Sequence, residues 1–334
     1  MVFTIPRTAS HLLLKLLNLP QQHSVYRHSN NQDGYMFLPA AALRFRQSLP
    51  GKAIQEWSEE EKTALKDAMQ GSFDDWLGLI EEAEKQGKST FVKEHLNWMA
   101  SPAAEARLYG HQKSNSSTTT QFQVHWKTQQ ISDSRKQDNI TYLPDAFLLQ
   151  EVKPTFLIRH PALTFPSCLR TAMDNEGASS VIDGEKIQQW ECTYFWSLSL
   201  YTFYIESAAE FDRRSFVDGV KYPIVLDAQD LGDEALVRKY AKAVGLDEEK
   251  VRFTWKAAEE TELARLGKVE KRMKSTILAS SGIEEGKLNA ALDIESLKEE
   301  WHSEFGEILS ERLVRLVHGS TEAYETLKSV RLRS

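Results

Sequence analysis

The segment Val2-Phe3-Thr4-Ile5-Pro6-Arg7-Thr8-Ala9-Ser10-His11, followed by a leucine-rich stretch, decides the fold of this chain. Residues 2–5 are β-branched or aromatic and predict a buried strand, which Pro6 ends. The leucines between positions 12 and 19 recur on one face and predict a helix. A loop between a strand and a helix directs backbone N–H groups and the positive end of the helix dipole toward one place. Because this loop also carries Arg7 and two hydroxyl side chains, we predict an anion-binding loop.

The same segment has a second interpretation. Arg7, His11 and Lys15 lie in a leucine-rich stretch with no acidic residue before Asp33, and this composition is also typical of a mitochondrial transit peptide. Cleavage would then remove the anion-binding loop, so sequencing the N-terminus of the native protein would distinguish the two interpretations.

The composition of the chain argues against several classes of partner. Its 334 residues are 41% hydrophobic and 27% charged, with a formal net charge of −7. This charge argues against binding to nucleic acid or to an anionic membrane, and no apolar run is long enough to span a bilayer. We therefore expect neither nucleic acid nor a membrane as a partner, and a homodimer is one alternative for the oligomeric state.

The two cysteines indicate the compartment. Cys168 and Cys192 are far apart in the sequence, without a Cys-x-x-Cys pattern or flanking histidines. We expect reduced, structural thiols in the cytoplasm and no metal site.

A second group of candidate residues follows a predicted strand at residues 89–92. Lys93-Glu94-His95 comes at its carboxyl end, and the carboxyl ends of parallel strands face the ligand crevice of an open α/β sheet. A histidine that titrates near neutrality suits removal of a proton from a hydroxyl group. A cation such as Lys93 or Arg7 would offset negative charge on a leaving group. Without the other motifs, a surface or packed histidine would be the more frequent explanation.

A third group lies after residues 153–158, whose second half is hydrophobic and which predict another strand. Arg159-His160-Pro161 leads from it into a predicted helix that carries Ser167 and Arg170. Proline suits the first position of a helix, and residues three apart share a helix face. An arginine is a planar, bidentate donor that suits a phosphate. The alternative is that Arg159 caps the sheet and that Arg170 is solvated.

These motifs, in this order, resemble those of sulfotransferases. In that family a first strand ends in Pro-Lys/Arg-Ser-Gly-Thr, a later one ends in Lys-x-His, and a third is followed by an arginine and, eight positions on, a serine. The Gly-x-x-x-x-Gly-Lys-[Ser/Thr] loop of nucleotide triphosphatases does not occur in the chain. The chain resembles most a divergent fungal group around natural-product pathways, whose first strand runs into Pro-Arg-Thr-Ala-Ser.

The resemblance implies a donor and a role for each candidate residue. The donor would be 3′-phosphoadenosine-5′-phosphosulfate (PAPS), with its phosphosulfate at the loop and its 3′-phosphate near Arg159, and no metal would be required. His95 would be the catalytic base, assisted by Lys93 and Arg7. The implied donor-binding residues are Pro6, Arg7, Thr8, Ala9, Ser10, His11, Arg159, Ser167, Arg170, Ser280, Ser281 and Gly282.

The chain departs from the family pattern in the donor site. Ala9 takes the position of the glycine, and Leu12 that of the tryptophan that stacks on adenine. The late Arg-Lys-Gly-x-x-Gly-Asp loop is absent, and its nearest counterpart is the segment 274–282, which ends in the Ser-Ser-Gly of positions 280–282.

The pattern and the resemblance together predict an α/β fold with three α/β/α layers, a short parallel sheet and extra C-terminal helices, as in P-loop-type sulfotransferases. We expect one domain over residues 1–334, with a lid or mobile loop at 109–140 and a helical section at 290–334. Further predicted helices span residues 40–47, 58–69, 72–86, 184–208, 294–317 and 321–330.

The predicted function is transfer of a sulfuryl group from PAPS to a hydroxyl group of a small natural-product acceptor. Two alternatives stay open. The same fold could catalyse an elimination or cyclisation, or it could bind an anion or nucleotide without catalysis.

Overall fold

The structure is a computed structural model that describes residues 1–27, 34–110, 123–126, 138–207, 216–217, 219–288 and 292–334. The strands are β1 (Val2–Thr4), β2 (Val25–Tyr26), β3 (Ser89–Thr90), β4 (Lys93–His95), β5 (Thr155–Ile158), β6 (Phe216–Val217), β7 (Val220–Lys221) and β8 (Ile224–Asp227). The first helices are α1 (Ser10–Leu17), α2 (Leu38–Arg46), α3 (Glu59–Lys85), α4 (Pro102–Leu108), α5 (Asp145–Gln150), α6 (Pro161–Glu176), α7 (Ala178–Asp183), α8 (Glu185–Glu191) and α9 (Phe195–Glu206). The later helices are α10 (Glu234–Ala243), α11 (Glu260–Arg265), α12 (Lys268–Met273), α13 (Ser275–Ala279), α14 (Glu285–Leu288) and α15 (Ile294–Ser329).

The main sheet has four strands in the order β4-β1-β5-β8. β1 is parallel to both of its neighbours, with Val2 opposite Lys93 and Thr155, and with Thr4 opposite His95. All residues of β1 are buried, which explains why this strand reads as an apolar run in the sequence. The predicted α/β class with a short parallel sheet is confirmed.

The strand near His95 differs from the prediction. Residues 89–92 do not join the main sheet: Ser89 and Thr90 pair with β2 in a separate two-stranded sheet. The main-sheet strand is Lys93–His95 itself, and all three of its residues are buried. Three consecutive polar residues do not read as a buried strand, which is why the sequence misplaced it.

The predicted helices at 58–69 and 72–86 are one continuous helix, α3. Ser58 caps it as the sequence predicts, since its hydroxyl accepts from the Glu61 N–H while its own N–H donates to the Glu61 carboxylate. Gly71 and Ser72 do not end the helix, because a buried apolar stripe with helical spacing continues through them. The stripe consists of Leu65, Met69, Phe73 and Trp76.

Two further helix predictions need correction. The predicted helix at 184–208 is divided into α8 and α9, and the Thr193 hydroxyl accepts from the Phe195 N–H at the start of α9 (3.1 Å). The predicted helices at 294–317 and 321–330 are not separated at residues 318–320, because α15 continues through them. Its kink lies at Gly306, whose φ of 76° is accessible to glycine.

The chain forms two compact units. The first consists of Met1–Ile5, His23–Phe156 and Thr193–Val225, and the second of Pro6–Gln22, Leu157–Cys192 and Leu226–Ser334. The prediction of one domain stays a prediction, and the predicted lid at 109–140 lies largely outside the described residues. Within the described part of the chain, no helix has both the length and the apolar character needed to cross a membrane.

Each unit has its own core. In the first unit the ring of Phe3 lies against Phe156 (5.4 Å between centroids) and Tyr204 (6.5 Å). In the second unit α15 packs against α6, and the hydroxyl of Tyr324 donates to the buried Asp227 carboxylate (2.7 Å). The aromatic residues of the segment 184–208 are therefore largely core, with Trp196, Phe203 and Tyr204 fully buried.

We expect the buried Arg44–Glu105 ion pair of the first unit to be required for stability. Both side chains are at least 95% buried, and Arg44 also donates to the Ala100 carbonyl (3.1 Å). Glu105→Ala would leave the guanidinium charge buried without its carboxylate, so the free energy of unfolding should fall by about 3–5 kcal/mol. Urea denaturation measures this change. The control is Glu82→Ala, whose partner Lys85 is exposed, and equal stabilities of the two variants would contradict the prediction.

Candidate functional site

The loop between β1 and α1 has a left-handed backbone at two residues. Arg7 has a φ of 70° and Ala9 a φ of 62° with a ψ of 25°, a conformation that costs about 1–2 kcal/mol for a residue with a Cβ. Ala9 is the residue before the first turn of α1, and its carbonyl accepts from the N–H groups of Leu12 and Leu13. The alanine therefore adopts the kind of conformation for which the family motif uses glycine.

Hydrogen bonds that involve two arginines hold this loop. The Arg7 guanidinium donates from Nε to the Ser167 hydroxyl (3.0 Å) and from Nη1 to the Met273 carbonyl (2.9 Å). Arg159 donates from Nη1 to the Arg7 carbonyl (3.1 Å). Strained backbone persists where its surroundings determine it, and these contacts do so. Two predicted strand-to-helix corners, after β1 and after β5, thus meet within the second unit, while the binding roles of their residues stay predictions.

The remaining residues of the loop are largely enclosed. Pro6, Thr8 and Ser10 are buried, and His11 is half-buried. Cys168, next to Ser167, donates from its thiol to the Pro6 carbonyl (3.6 Å).

Arg170 is directed elsewhere. Its guanidinium makes two hydrogen bonds of 2.6 Å to the Glu304 carboxylate and lies 5.6 Å from the centre of the Phe305 ring. The hydrogen bonds to Glu304 raise the pKa of Arg170 above its usual range. The structure therefore brings Ser167, but not Arg170, into contact with Arg7.

Met273, the residue before the late segment 274–282, contacts the loop through its carbonyl, which accepts from Arg7. The Ser-Ser-Gly turn itself pairs with another part of the second unit: the Ser281 carbonyl accepts from the Trp255 N–H (3.0 Å), and Gly282 forms an antiparallel bridge with Thr254. The Ser280 hydroxyl oxygen is buried.

Both cysteines are free and buried. The thiol of Cys192 lies beside Cys168, and this contact together with burial raises the pKa of Cys192 well above its usual range. Their burial fits the structural role predicted for them. Among the described residues, no cluster of three or more His, Cys, Asp or Glu side chains could hold a metal ion.

In the first unit, hydrogen bonds select the tautomer of His95. Its Nδ1 lies 2.6 Å from the hydroxyl oxygen of Thr4, and that hydroxyl lies 3.1 Å from the Glu94 carbonyl, to which it donates. A hydroxyl has one proton to donate, so the arrangement that satisfies both contacts places a proton on Nδ1 and leaves the Nε2 lone pair as an acceptor. This is the form of histidine that can remove a proton.

Aromatic rings surround His95, which is 2% exposed. Tyr35 lies with its hydroxyl 3.2 Å from Nε2 and its ring centre 5.0 Å from the imidazole. The Trp98 ring stands edge-on to the imidazole at 4.7 Å. The buried ammonium of Lys93 lies 4.1 Å from the centre of the Tyr35 ring, within the range of a cation–π interaction.

The Glu94 side chain points to the face of β4 opposite that of Lys93 and His95, because side chains alternate along a strand. It is fully buried and accepts from the Phe37 N–H (3.4 Å). Desolvation raises its pKa well above the usual range, against the lowering effect of backbone N–H donors. Burial therefore favours the protonated form of this carboxyl group.

Two curated relatives match the chain over its whole length. Sulfotransferase ppzF of Metarhizium majus (strain ARSEF 297) is 34% identical over 341 residues, which cover 100% of this chain and 96% of the relative. Sulfotransferase ppzF of Metarhizium rileyi (strain RCEF 4871) is 33% identical over 335 residues, with the same coverage. This chain belongs to the sulfotransferase family. No protein-family model and no solved structure matches it.

Family membership confirms two predictions, the resemblance to fungal sulfotransferase-like proteins and the assignment to the transferase enzymes. Sequence reasoning missed the residues that contact His95, namely Thr4, Tyr35 and Trp98. Thr4 could have been found only from the register of β1 against β4. Tyr35 and Trp98 lie outside the family motifs, so no sequence signal indicated them.

The shifted pKa of Glu94 predicts a pH-dependent stability. The folded protein keeps a proton that the unfolded chain releases above the ordinary pKa of 4.5, so stability falls as pH rises from that value toward the folded pKa. The slope for one proton is at most about 1.4 kcal/mol per pH unit. Glu94→Gln removes this titrating proton. The free energy of unfolding of the variant, minus that of the native protein, should therefore increase as the pH rises from about 5 to about 8.

Urea unfolding at both pH values measures the effect, with the exposed Glu84→Gln as the control. Parallel pH dependence of Glu94→Gln and the native protein would show that Glu94 ionises normally.

Proposed function

We propose that this protein transfers a sulfuryl group from PAPS to a hydroxyl group of a small natural-product acceptor in the cytoplasm. The observation that carries the proposal is the meeting of Arg7, Arg159 and Ser167, in a chain whose relatives are named sulfotransferases. Two guanidinium groups and a hydroxyl are a compact set of donors for phosphate oxygens. The free cysteines are consistent with a reducing compartment.

The residues of the second unit fit a doubly phosphorylated nucleotide. Arg7, Thr8 and Ser10 precede or begin a two-turn helix, where backbone N–H groups and the helix dipole favour an anion. We assign the 5′ end of the donor to this loop and its 3′-phosphate to Arg159 and Ser167. PAPS, when bound, supplies a sulfuryl group joined to a phosphate leaving group.

We assign the base role to His95 in the first unit. Its Nε2 takes the proton of the acceptor hydroxyl, while the Nδ1–H donates to Thr4 and keeps the ring in place. The imidazolium that forms keeps this hydrogen bond. Lys93 and Arg7 supply positive charge that offsets the negative charge that develops on acceptor and leaving group.

Arg159→Ala should weaken binding at the donor site. The variant removes a guanidinium that holds both the loop carbonyl and the proposed 3′-phosphate, so the Kd for 3′-phosphoadenosine-5′-phosphate (PAP) should rise by about 30-fold or more. Isothermal titration calorimetry measures the Kd for PAP. Arg238→Ala, on the surface of α10 and paired with Glu234, removes the same charge and should bind PAP like the native protein.

Binding of ATP without binding of PAP would overturn the PAPS assignment. Binding of PAP without release of PAP from PAPS, across a panel of alcohols and phenols, would favour the non-catalytic alternative. Consumption of an acceptor without a sulfated product would favour elimination or cyclisation.

His95→Ala should remove turnover and leave donor binding intact. Loss of a general base lowers turnover by about 100-fold or more, whereas the Kd for PAP should stay within about twofold, because His95 holds no phosphate in this proposal. PAP release and calorimetry measure the two quantities. The exposed His302 provides the control variant His302→Ala, and native turnover in His95→Ala would remove His95 from the base role.

A further inference from the structure

We propose that the Tyr35 side chain occupies the position of the acceptor and that the acceptor is a phenol, a molecule with a hydroxyl group on a flat aromatic ring. The inference rests on the proposed role of His95 as the base. It adds a residue that determines specificity and a chemical class of acceptor.

The Tyr35 hydroxyl is hydrogen-bonded to Nε2 of His95, the nitrogen that takes the acceptor's proton in the proposed reaction. The hydroxyl lies 3.2 Å from Nε2 of His95, and with Nδ1 protonated this nitrogen is the acceptor of that hydrogen bond. An imidazole nitrogen has one lone pair, directed in the plane of the ring. The hydroxyl of a substrate and the hydroxyl of Tyr35 therefore exclude each other at Nε2.

The surroundings of the Tyr35 ring fit a phenol. The ring lies 5.0 Å from both the imidazole and the Trp98 indole, which form aromatic walls. The Lys93 ammonium lies 4.1 Å from its centre and would stabilise negative charge on a phenol that loses its proton. A phenol, with a pKa near 10 like that of tyrosine, also gives up its proton to an imidazole far more readily than an aliphatic alcohol does.

The backbone at Tyr35 is fixed, which leaves its side chain as the part that must move. Its N–H donates to the Lys93 carbonyl (2.8 Å) and its φ is 63°. Gly34 before it has a φ of 88°, and a Cβ there would lie 2.5 Å from the Lys93 carbonyl oxygen, so only glycine fits. The side chain of Tyr35 is half-buried and can turn toward solvent about its own rotatable bonds. Strain at a residue that covers a proposed base is consistent with a functional position.

Tyr35→Phe should strengthen acceptor binding. The variant keeps the ring but removes the hydroxyl that competes for Nε2, so the Kd of 2-naphthol for the PAP-saturated protein should fall by about three- to tenfold, the equivalent of one hydrogen bond. The kcat/KM for 2-naphthol, followed by PAP release, should rise by a similar factor. Tyr26→Phe, at a half-buried tyrosine of β2, is the matched control and should leave both values unchanged.

Two outcomes would overturn the role of Tyr35. Values for Tyr35→Phe equal to those of Tyr26→Phe would show that the hydroxyl does not compete with the acceptor. A lower kcat/KM for Tyr35→Phe would show that the tyrosine hydroxyl takes part in proton transfer and is not displaced from His95 by the acceptor.

The acceptor class has a separate test. Calorimetric titration into the PAP-saturated native protein should show binding of 2-naphthol and at least about tenfold weaker binding of its saturated counterpart, decahydro-2-naphthol, which lacks the flat ring. If the protein binds PAP but binds 2-naphthol and decahydro-2-naphthol equally, or does not bind 2-naphthol, the phenol assignment is wrong and the donor site still stands. Absence of PAP binding would instead overturn the proposed function itself.

Discussion

The hydrogen bond from the Arg159 guanidinium to the Arg7 carbonyl is the contact on which the second unit's candidate site depends. It fixes a loop in which Arg7 and Ala9 are left-handed, a conformation that would otherwise relax because each residue carries a Cβ. With the carbonyl held, the Arg7 side chain is directed to Ser167 and to Met273. One arginine thus positions another, and both guanidinium groups belong to the same cluster. The cluster explains how the loop holds an alanine in a left-handed conformation that glycine adopts more readily.

The first unit meets a different constraint, the burial of three polar residues in succession on β4. Each is accommodated in its own way. Lys93 places its ammonium over the Tyr35 ring. Desolvation raises the pKa of Glu94, which also accepts from the Phe37 N–H. His95 is hydrogen-bonded through Nδ1 to Thr4. Burying charged groups without partners would cost several kcal/mol each. The strand is therefore stable only with the side chains that surround it, and one of them, Thr4, also fixes the tautomer of His95.

The late part of the chain shows how the family pattern has changed here. The segment that the resemblance aligns with the Arg-Lys-Gly loop contains the helix α13 and ends at Gly282, which is bridged to Thr254. The contact with Arg7 comes from the residue before this segment, Met273. Arg170 likewise belongs to an ion pair with Glu304 and is not part of the Arg7 cluster. Relatives that match over the whole chain at about one-third identity are compatible with such local changes in a common fold.

The sequence by itself determined the parallel α/β class, the strand-to-helix corners after β1 and β5, and the family, because apolar runs, helix caps and motif spacing are local properties. It predicted a break in α3 that does not exist, missed the division of α8 from α9, and placed the break in α15 after residue 317 when it lies at Gly306. A buried stripe, a threonine cap and a permissive glycine take effect only in context. Only the tertiary structure decided which side chains contact His95. Thr4 and Tyr35 are 91 and 60 residues away from it in the chain, and strand register and the packing of a distant loop, which no local pattern encodes, bring them to its two nitrogens.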